Sequence, residues 1–391
     1  MVDKILQGDV RSCLKQLEDE SVQCVISSPP YWGLRDYGTA TWEGGDPNCD
    51  HLVGRFTTPV SDKQATSVGS GTKQASDVCP KCGARRIDSQ IGLEPTPEAY
   101  VADLVEVFRE VKRVLRDDGV LWLNLGDSYA GSGRGRNADG THSKGGKEET
   151  NRGAMDGRLV NAKSFSKHLI EEGAIGNAWV KPPVGYKCKD LCMIPAQVAI
   201  ALRIDGWYLR SKIIWNKLNP MPESVTDRPT KSYEEVFLFS KSSSYYYDAE
   251  SIKEPIAEST AEDPRLTREG YDVGRPERGF PGGNSRGSGL LVPKGDPGKR
   301  NKRDVWTVAT QPCAEAHFAT FPPKLIEPMI LAGSKEGDTI LDPFMGSGTT
   351  AIQAVRLHRH YLGCELNPEY VAMANRRIAD MVGPLFSKER V

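Results

Sequence analysis

Residues 338–350 read Asp-Thr-Ile-Leu-Asp-Pro-Phe-Met-Gly-Ser-Gly-Thr-Thr, and how they fold decides the architecture of the chain. Thr339, Ile340 and Leu341 make a short apolar run expected to be a buried strand. Asp342, Pro343 and Phe344 end it, Gly346 and Gly348 supply a tight turn, and Thr349 to Arg356 open a helix. A strand that empties through glycines into a helix N-terminus is where open α/β sheets take nucleotide-like ligands, because backbone without Cβ atoms lets the ligand approach. No Lys follows Gly348, so this is not a triphosphate loop, and the Gly-x-Gly-x-x-Gly spacing of dinucleotide sites is missing too. A turn with no ligand is the plainer alternative. Against it, His360 to Glu365 reads as a second strand ending in an acid, placed as a carboxylate that accepts hydrogen bonds from two ribose hydroxyls should be.

At the other end of the chain, Lys4 to Val10 reads as a strand ending at Gly8-Asp9, with an amphipathic helix around Leu14 and Leu17. Val22 to Ser27 is a second buried strand, and it runs into Ser28-Pro29-Pro30-Tyr31-Trp32-Gly33. Two consecutive prolines cannot continue a central strand, so the chain leaves the sheet here. Neither proline has an N–H, and their carbonyls read as unopposed acceptors. A hydroxyl, rigid carbonyls and an aromatic face make a socket for a flat ring that carries an amino group. A proline-rich loop with an exposed Tyr is the alternative.

Taken together, Ser28-Pro29-Pro30-Tyr31 upstream and Asp342 to Thr350 downstream resemble the amino-group DNA methyltransferases that use S-adenosylmethionine. The order, catalytic tetrapeptide first and cofactor turn last, resembles the permuted beta-type branch of that family. The resemblance covers the two ends and the middle strands and leaves the insertions uncovered. It implies a mostly parallel, Rossmann-like α/β sheet with circularly permuted motif order, carrying zinc-knuckle-like and recognition insertions. It implies catalytic roles for Ser28, Pro29, Pro30 and Tyr31. It implies a cofactor site at Asp9, Phe318, Asp342, Pro343, Phe344, Gly346, Ser347, Gly348, Thr349, Glu365 and Asn367. Double-stranded DNA is the implied partner, with a cognate restriction endonuclease and a homodimer as further candidates, in the cytoplasm of a bacterium or from a phage.

The chemistry follows from the substrate. An exocyclic amine is a poor nucleophile because its lone pair is delocalised into the ring. Hydrogen bonds from its N–H groups to Ser28 and the Pro29 carbonyl would localise that pair, which stabilises the transition state selectively. Tyr31 would stack on a base extruded from the duplex. A ring-carbon nucleophile is absent from the catalytic position, since Pro312-Cys313 stands elsewhere, in a loop context. Family members with Ser at the first motif position tend to act on cytosine N4 and those with Asp on adenine N6, so the resemblance points to cytosine N4. Adenine N6, an RNA or free-base substrate, and a binding module without chemistry stay open.

The 391 residues divide into catalytic segments at 1–45, 91–250 and 306–391, a zinc-binding insertion at 46–90 and a target-recognition segment at 251–305. Lys and Arg number 51 against 52 Asp and Glu, so any nucleic-acid surface must be a local patch. No apolar run suits a bilayer, no signal pattern opens the chain, and nine scattered cysteines argue against a disulfide framework. Four of the ligand type, Cys49, His51, Cys79 and Cys82, suit tetrahedral zinc and would clip the polar stretch between them, although Cys-x-His departs from the usual spacing. Free thiols on a flexible loop are the alternative.

Pro97 to Arg116 is an amphipathic helix, Asp118-Gly119 ends it, and Val120 to Leu125 follows as a buried strand. Gly126 to Tyr129 then stands at the ligand edge, as substrate contacts or as plain strand-capping residues. Residues 130–189 are basic and glycine-rich, either ordering on a phosphate backbone or simply solvated. Leu191 to Asp205 resumes helical periodicity. Tyr208 to Trp215 and Glu235 to Lys241 read as strands, joined by a loop, Asn216 to Lys231, expected near the substrate. Residues 254–303 lack periodicity and end in a basic cluster, where the resemblance puts target recognition. Phe318 and Phe321 precede a helix beginning near Pro323, and either contact the cofactor or pack in the core.

Overall fold

The computed structural model describes residues 2–33, 37, 39–49, 78–79, 81–130, 183–187, 189–223, 225–256, 299–311 and 321–386. His51, Phe318, Pro312-Cys313, most of the 130–189 insertion and most of the 251–305 segment lie outside them.

The chain begins with strand β1 (Lys4–Gln7), helix α1 (Val10–Leu14) and strand β2 (Val22–Ser27). A small antiparallel pair follows, β3 (Thr41–Glu43) with β4 (Arg85–Ile87), and then α2 (Pro97–Val114) and β5 (Leu115–Leu125). The middle of the chain contributes α3 (Ile194–Ile204), β6 (Tyr208–Asn216) and β7 (Tyr233–Ser240). Short strands β8 (Glu254–Pro255), β9 (Lys299–Arg300) and β10 (Val305–Thr307) lead to α4 (Pro323–Gly333). The chain closes with β11 (Thr339–Asp342), α5 (Thr349–Arg356), β12 (His360–Glu365) and α6 (Pro368–Phe386). No helix among the described residues is long and apolar enough to cross a membrane.

Eight strands form one sheet in the order β1-β12-β11-β2-β5-β7-β6-β10. β7 runs antiparallel to both its neighbours, and every other neighbouring pair is parallel. The mostly parallel α/β sheet expected from the sequence is therefore present. All six residues of β2 are buried, as a strand covered on both faces should be. One cover is an apolar cluster of Leu14, Leu104, Phe108, Val198 and their neighbours from α1, α2 and α3. The other contains Leu325, Met329, Ile352 and Ile378 from α4, α5 and α6, with Phe321 packed against it.

The order of the strands places the site. From β11 the chain crosses through α5 to β12 on one side, whereas from β2 it crosses through α2 to β5 on the other. Ligands of open α/β sheets bind at such a reversal, outside the carboxyl ends of the strands. Leu341 pairs with Val25, so Asp342 and Ser27 leave the sheet at one edge.

Several boundaries correct the expectations. The first strand stops at Gln7, because Gly8 has φ +141° and the Asp9 carboxylate caps α1. The 97–116 helix stops at Val114, and the Asp118-Gly119 turn is absorbed into β5 as a bulge, with Val22 facing Leu115 and Cys24 facing Val120. α3 starts at Ile194 rather than Leu191, since Pro195 suits a first helical turn. α6, β10 and the two small sheets carry no expectation in the sequence reading.

Candidate active site

The turn after β11 is held from below and from the side. The Met345 amide donates to the Cys364 carbonyl at 2.9 Å, which ties the turn to β12. Gly348 caps α5 with φ +83°, and a Cβ there would stand 2.8 Å from the Ala374 Cβ of α6, so only glycine fits. Gly346 also has positive φ, at +53°, and its missing Cβ would meet nothing nearer than the Phe344 carbonyl oxygen at 3.9 Å. That side of the turn is open.

Glu365, at the end of β12, receives the Gly346 amide on Oε2 and the Asn367 amide on Oε1, both at 2.8 Å. Burial pushes its carboxyl up, and those backbone amides offset part of the push. Asp342 is buried, and burial raises it to about 7 even though the Thr350 hydroxyl (2.6 Å) and the Phe344 amide (3.0 Å) donate to it. Both acids therefore sit where loss of a proton is opposed by desolvation. The Asn367 side chain accepts from the Glu369 amide at 2.8 Å, at the start of α6. Asp9 accepts from the Arg11 and Ser12 amides, and its strand pairs Gln7 with Glu365, which brings it to the same edge. Ser347 and Thr349 are buried with their hydroxyls 3.4 Å apart, and Arg377 donates to the Ser347 carbonyl. Phe344 packs on the α1–α3 side of the sheet and does not stand free.

The second half lies at the ends of β2, β5 and β7. Ser28 donates to the Tyr31 hydroxyl at 3.3 Å, and Tyr31 donates to Glu234 Oε2 at 2.6 Å. Asn124 Nδ2 stands within 3.3 Å of Ser28 Oγ and 2.8 Å of both the Tyr31 hydroxyl and Glu234 Oε2. Lys217 donates to the other oxygen of Glu234 at 2.5 Å. The Tyr31 hydroxyl is pushed well above its ordinary range, first by burial and then by the neighbouring Glu234. Its ring lies against Gly126, where an added Cβ would come 2.6 Å from Cδ2.

The proline loop differs from its reading in one respect. The Pro30 carbonyl is not unopposed, since Tyr100 on α2 donates to it at 2.9 Å, while Trp32 is fully buried and donates from Nε1 to the Glu94 carbonyl. The Pro29 carbonyl has no donor among the described residues. Nor is Tyr31 a freely exposed ring; its hydroxyl is anchored at the strand edge.

Asn124 and Glu234 are the residues the sequence reading missed. Asn124 stood as the one amide in the apolar run Val120–Leu125, a signal that was available. Glu234 carries no such mark, because strand β7 begins at Tyr233 and nothing in Tyr-Glu-Glu tells which acid faces the site. Asp127, in contrast, has the plainer role: it accepts from the Ser128 and Ile194 amides and supplies the cap that Met193 does not give α3. The 216–231 loop does reach the edge, through Lys217 and through Lys231, which donates to the Asp127 carbonyl at 3.1 Å.

In the insertion, the Sγ atoms of Cys49, Cys79 and Cys82 lie within 4.8 Å of one another, beside the β3–β4 pair. The Gly83 amide donates to the Cys79 carbonyl and the Cys79 amide to the Ala84 carbonyl, both at 2.7 Å, which folds the Cys-x-x-Cys-Gly stretch into a tight turn. Three thiols converging this way match the soft-donor set that zinc prefers.

Comparison with known proteins agrees with this geometry. Residues 22–376 match the N6/N4 family of DNA methylases. The type II methyltransferase M.XycI of Xanthomonas campestris pv. cyanopsidis is 38% identical over 376 residues, covering 96% of this chain and 87% of its own. M.SmaI of Serratia marcescens is 37% identical over 377 residues, with 96% and 90% covered. The solved structure of the PvuII DNA methyltransferase, described as cytosine-N4-specific, superposes with a TM-score of 0.50 at 15% identity, over 97% of this chain and 91% of that one, and shares the fold. With the family match running from β2 into α6, the chain belongs to the N6/N4 DNA methylase family and is an S-adenosylmethionine-dependent DNA methyltransferase.

Proposed function

We propose that the enzyme transfers the methyl group to the exocyclic N4 of a cytosine flipped out of double-stranded DNA, with the beta-type permuted arrangement of motifs. What carries this reading is Ser28. Its hydroxyl, at the end of β2 and beside the β11 turn, donates to Tyr31 and so turns its remaining lone pair outward, toward an amine N–H. The choice of cytosine over adenine rests on the family resemblance, in which Ser at this position goes with cytosine N4. The Pro29 carbonyl, with no donor among the described residues, suits the second N–H. Holding both N–H groups would localise the nitrogen lone pair, an interaction worth most in the transition state. The Tyr31 ring, braced by Gly126 and anchored through its hydroxyl, offers one face to the base.

The open side of Gly346 and the Glu365 carboxylate next to it fit a nucleoside with two ribose hydroxyls, and Asp342, Pro343, Phe344, Ser347, Gly348 and Thr349 shape that cradle. Asp9 and Asn367 border it from the neighbouring strand and helix ends. S-adenosylmethionine, when bound there, supplies a methyl on a good leaving group, and alignment does the rest. Cys49, Cys79 and Cys82 would hold a structural zinc, with His51 as the proposed fourth ligand. A restriction endonuclease of matching specificity is the proposed cellular partner.

Nucleoside mass spectrometry on unmethylated DNA, treated with enzyme and S-adenosylmethionine, tests the base. N4-methylcytosine is expected, and Ser28→Ala should lose it while DNA affinity stays within a few-fold. N6-methyladenine would overturn the base assignment.

A further inference from the structure

The side chain of Glu234 stands at the centre of the catalytic half, and the mechanism above gives it nothing to do. β7 is the one reversed strand, so its first residues come to the edge where the parallel strands end. Asn124 pairs with Val236, and Glu234, two residues before Val236, shares that face of the sheet.

The hydrogen-bond directions in this cluster are fixed. A carboxylate only accepts, so Tyr31 and Asn124 must both donate to Glu234. The Asn124 amide therefore points its Nδ2 toward the cluster, although this leaves Oδ1 buried without a donor among the described residues. The Asn124 NH2 has two hydrogens for three neighbouring acceptors and cannot itself accept, so neither the Ser28 nor the Tyr31 proton can be directed at it. Their own protons are left one way to go, Ser28 toward Tyr31 and Tyr31 toward Glu234. The chain is continuous, 3.3 Å and then 2.6 Å, and it ends on a carboxylate.

We infer that Glu234 is a positioning residue that receives, through Tyr31 and Ser28, the proton released by the methylated amine. This rests on the reading of Ser28 as the residue that holds the amine. As the N–C bond forms, the carbon–sulfur bond breaks and its electron pair leaves with sulfur. The nitrogen, now cationic, gives a proton to Ser28 Oγ and keeps the N–H electron pair. Ser28 passes its own proton to Tyr31, and Tyr31 passes its own to Glu234. Lys217 pairs with the other Glu234 oxygen at 2.5 Å, and with side chains 20% and 14% exposed the pair lies close enough to solvent for the proton to leave. A carboxylate one strand away thus gives the neutral Ser28 a base.

Single-turnover methylation by Glu234→Gln, measured across pH, tests it. Gln keeps an acceptor for Tyr31 but takes up no proton. The expected loss is about 100-fold or more in rate, the usual size of general-base assistance, with affinities for DNA and S-adenosylmethionine within about threefold. The titratable groups facing Glu234 are Tyr31 from the loop after β2, whose hydroxyl burial pushes up, Lys217 after β6, and Lys231 before β7, with neutral Asn124 from β5; Gln at 234 takes up no proton at any pH. The wild-type acid limb contributed by Glu234 should therefore vanish in the variant, while any limb from Asp342 remains in both. Glu234→Asp should recover part of the rate, and Tyr31→Phe should cost no more in the Glu234→Gln background than the relay already lost. A Glu234→Gln enzyme within threefold of wild type at every pH, or one that loses affinity but not rate, overturns the inference. If the product proves to be N6-methyladenine, the base assignment falls while the same rate comparison still decides the relay. A wild-type enzyme that methylates no DNA refutes the site itself.

Discussion

Replacing Asp342 with Asn should change how stability depends on pH more than it changes stability at any one pH. The buried carboxyl has its pKa raised from 3.8 to about 7, chiefly by desolvation, with Glu365 adding repulsion. A carboxyl raised on folding favours the folded state while it is protonated there and ionised in the unfolded chain. Its contribution is thus largest at low pH and is lost as pH climbs through about 7. Between pH 5 and pH 8 the loss works out at about 2.5 kcal/mol. Asn has the same shape, can still accept from the Phe344 amide, and can turn its NH2 toward the Thr350 oxygen, but it does not ionise. Glu94, also raised to about 7 by burial, drifts the same way in both proteins and cancels in the difference. Urea unfolding of both forms at pH 5, 6.5 and 8 is the assay. Wild-type stability should fall relative to Asp342→Asn by about 2–3 kcal/mol across that range. A difference flat to within about 0.5 kcal/mol, well below what the linkage relation demands, would show that burial does not raise the Asp342 carboxyl as described.

Two further perturbations discriminate equally well. Gly348 and Gly337 have nearly the same φ, +83° and +82°, but only at Gly348 would a Cβ collide, with Ala374; at Gly337 nothing lies within 4 Å. Gly337→Ala should cost about 1–2 kcal/mol of backbone strain, and Gly348→Ala about 1–3 kcal/mol more for overpacking, in chemical denaturation; equal losses would refute the packing argument. Elemental analysis of protein purified without chelator should find about one zinc per chain, absent in Cys82→Ser, with the 46–90 insertion becoming protease-sensitive when the metal is stripped. Protein that carries no zinc as purified, or a Cys82→Ser variant with wild-type metal content, melting and proteolysis, would leave Cys49, Cys79 and Cys82 as plain thiols.

What was legible in the sequence is what local pattern controls. The bounds of β2, β11, α5 and β12 are legible to within a residue because each is a short, mostly apolar run with a polar or glycine-rich boundary, or a helix fixed by glycine at its start. The misjudged limits fall where a tertiary partner decides. Asp118-Gly119 looks like a turn by composition, and it became a bulge because β2 offers Cys24 opposite Val120. Leu191 continues a helical period, yet Asp127 receives the Ile194 amide and starts α3 there. The candidate site was legible at its glycines, its prolines and Glu365, whose residue types advertise unusual backbone or an edge. Tyr100 was read as one more helix residue, and only the packing of α2 shows that its hydroxyl closes the Pro30 carbonyl.

The reversed strand is the feature that joins these observations. Were β7 parallel like its neighbours, its first residues would lie at the opposite edge, and no acid from it could approach Ser28. Reversed, it sets Glu234 beside Asn124 and Tyr31, and Lys217, just beyond the end of β6, beside Glu234. Ser28 follows β2 and Asp342 ends β11, at distant places in the chain, yet these strands pair directly and open onto the same switch point. On the proposed reading, methyl donor and amine meet there, each motif standing at its own strand end. On the proposed relay the proton acceptor comes from the far side of β5, and β7 is the strand that lines that side.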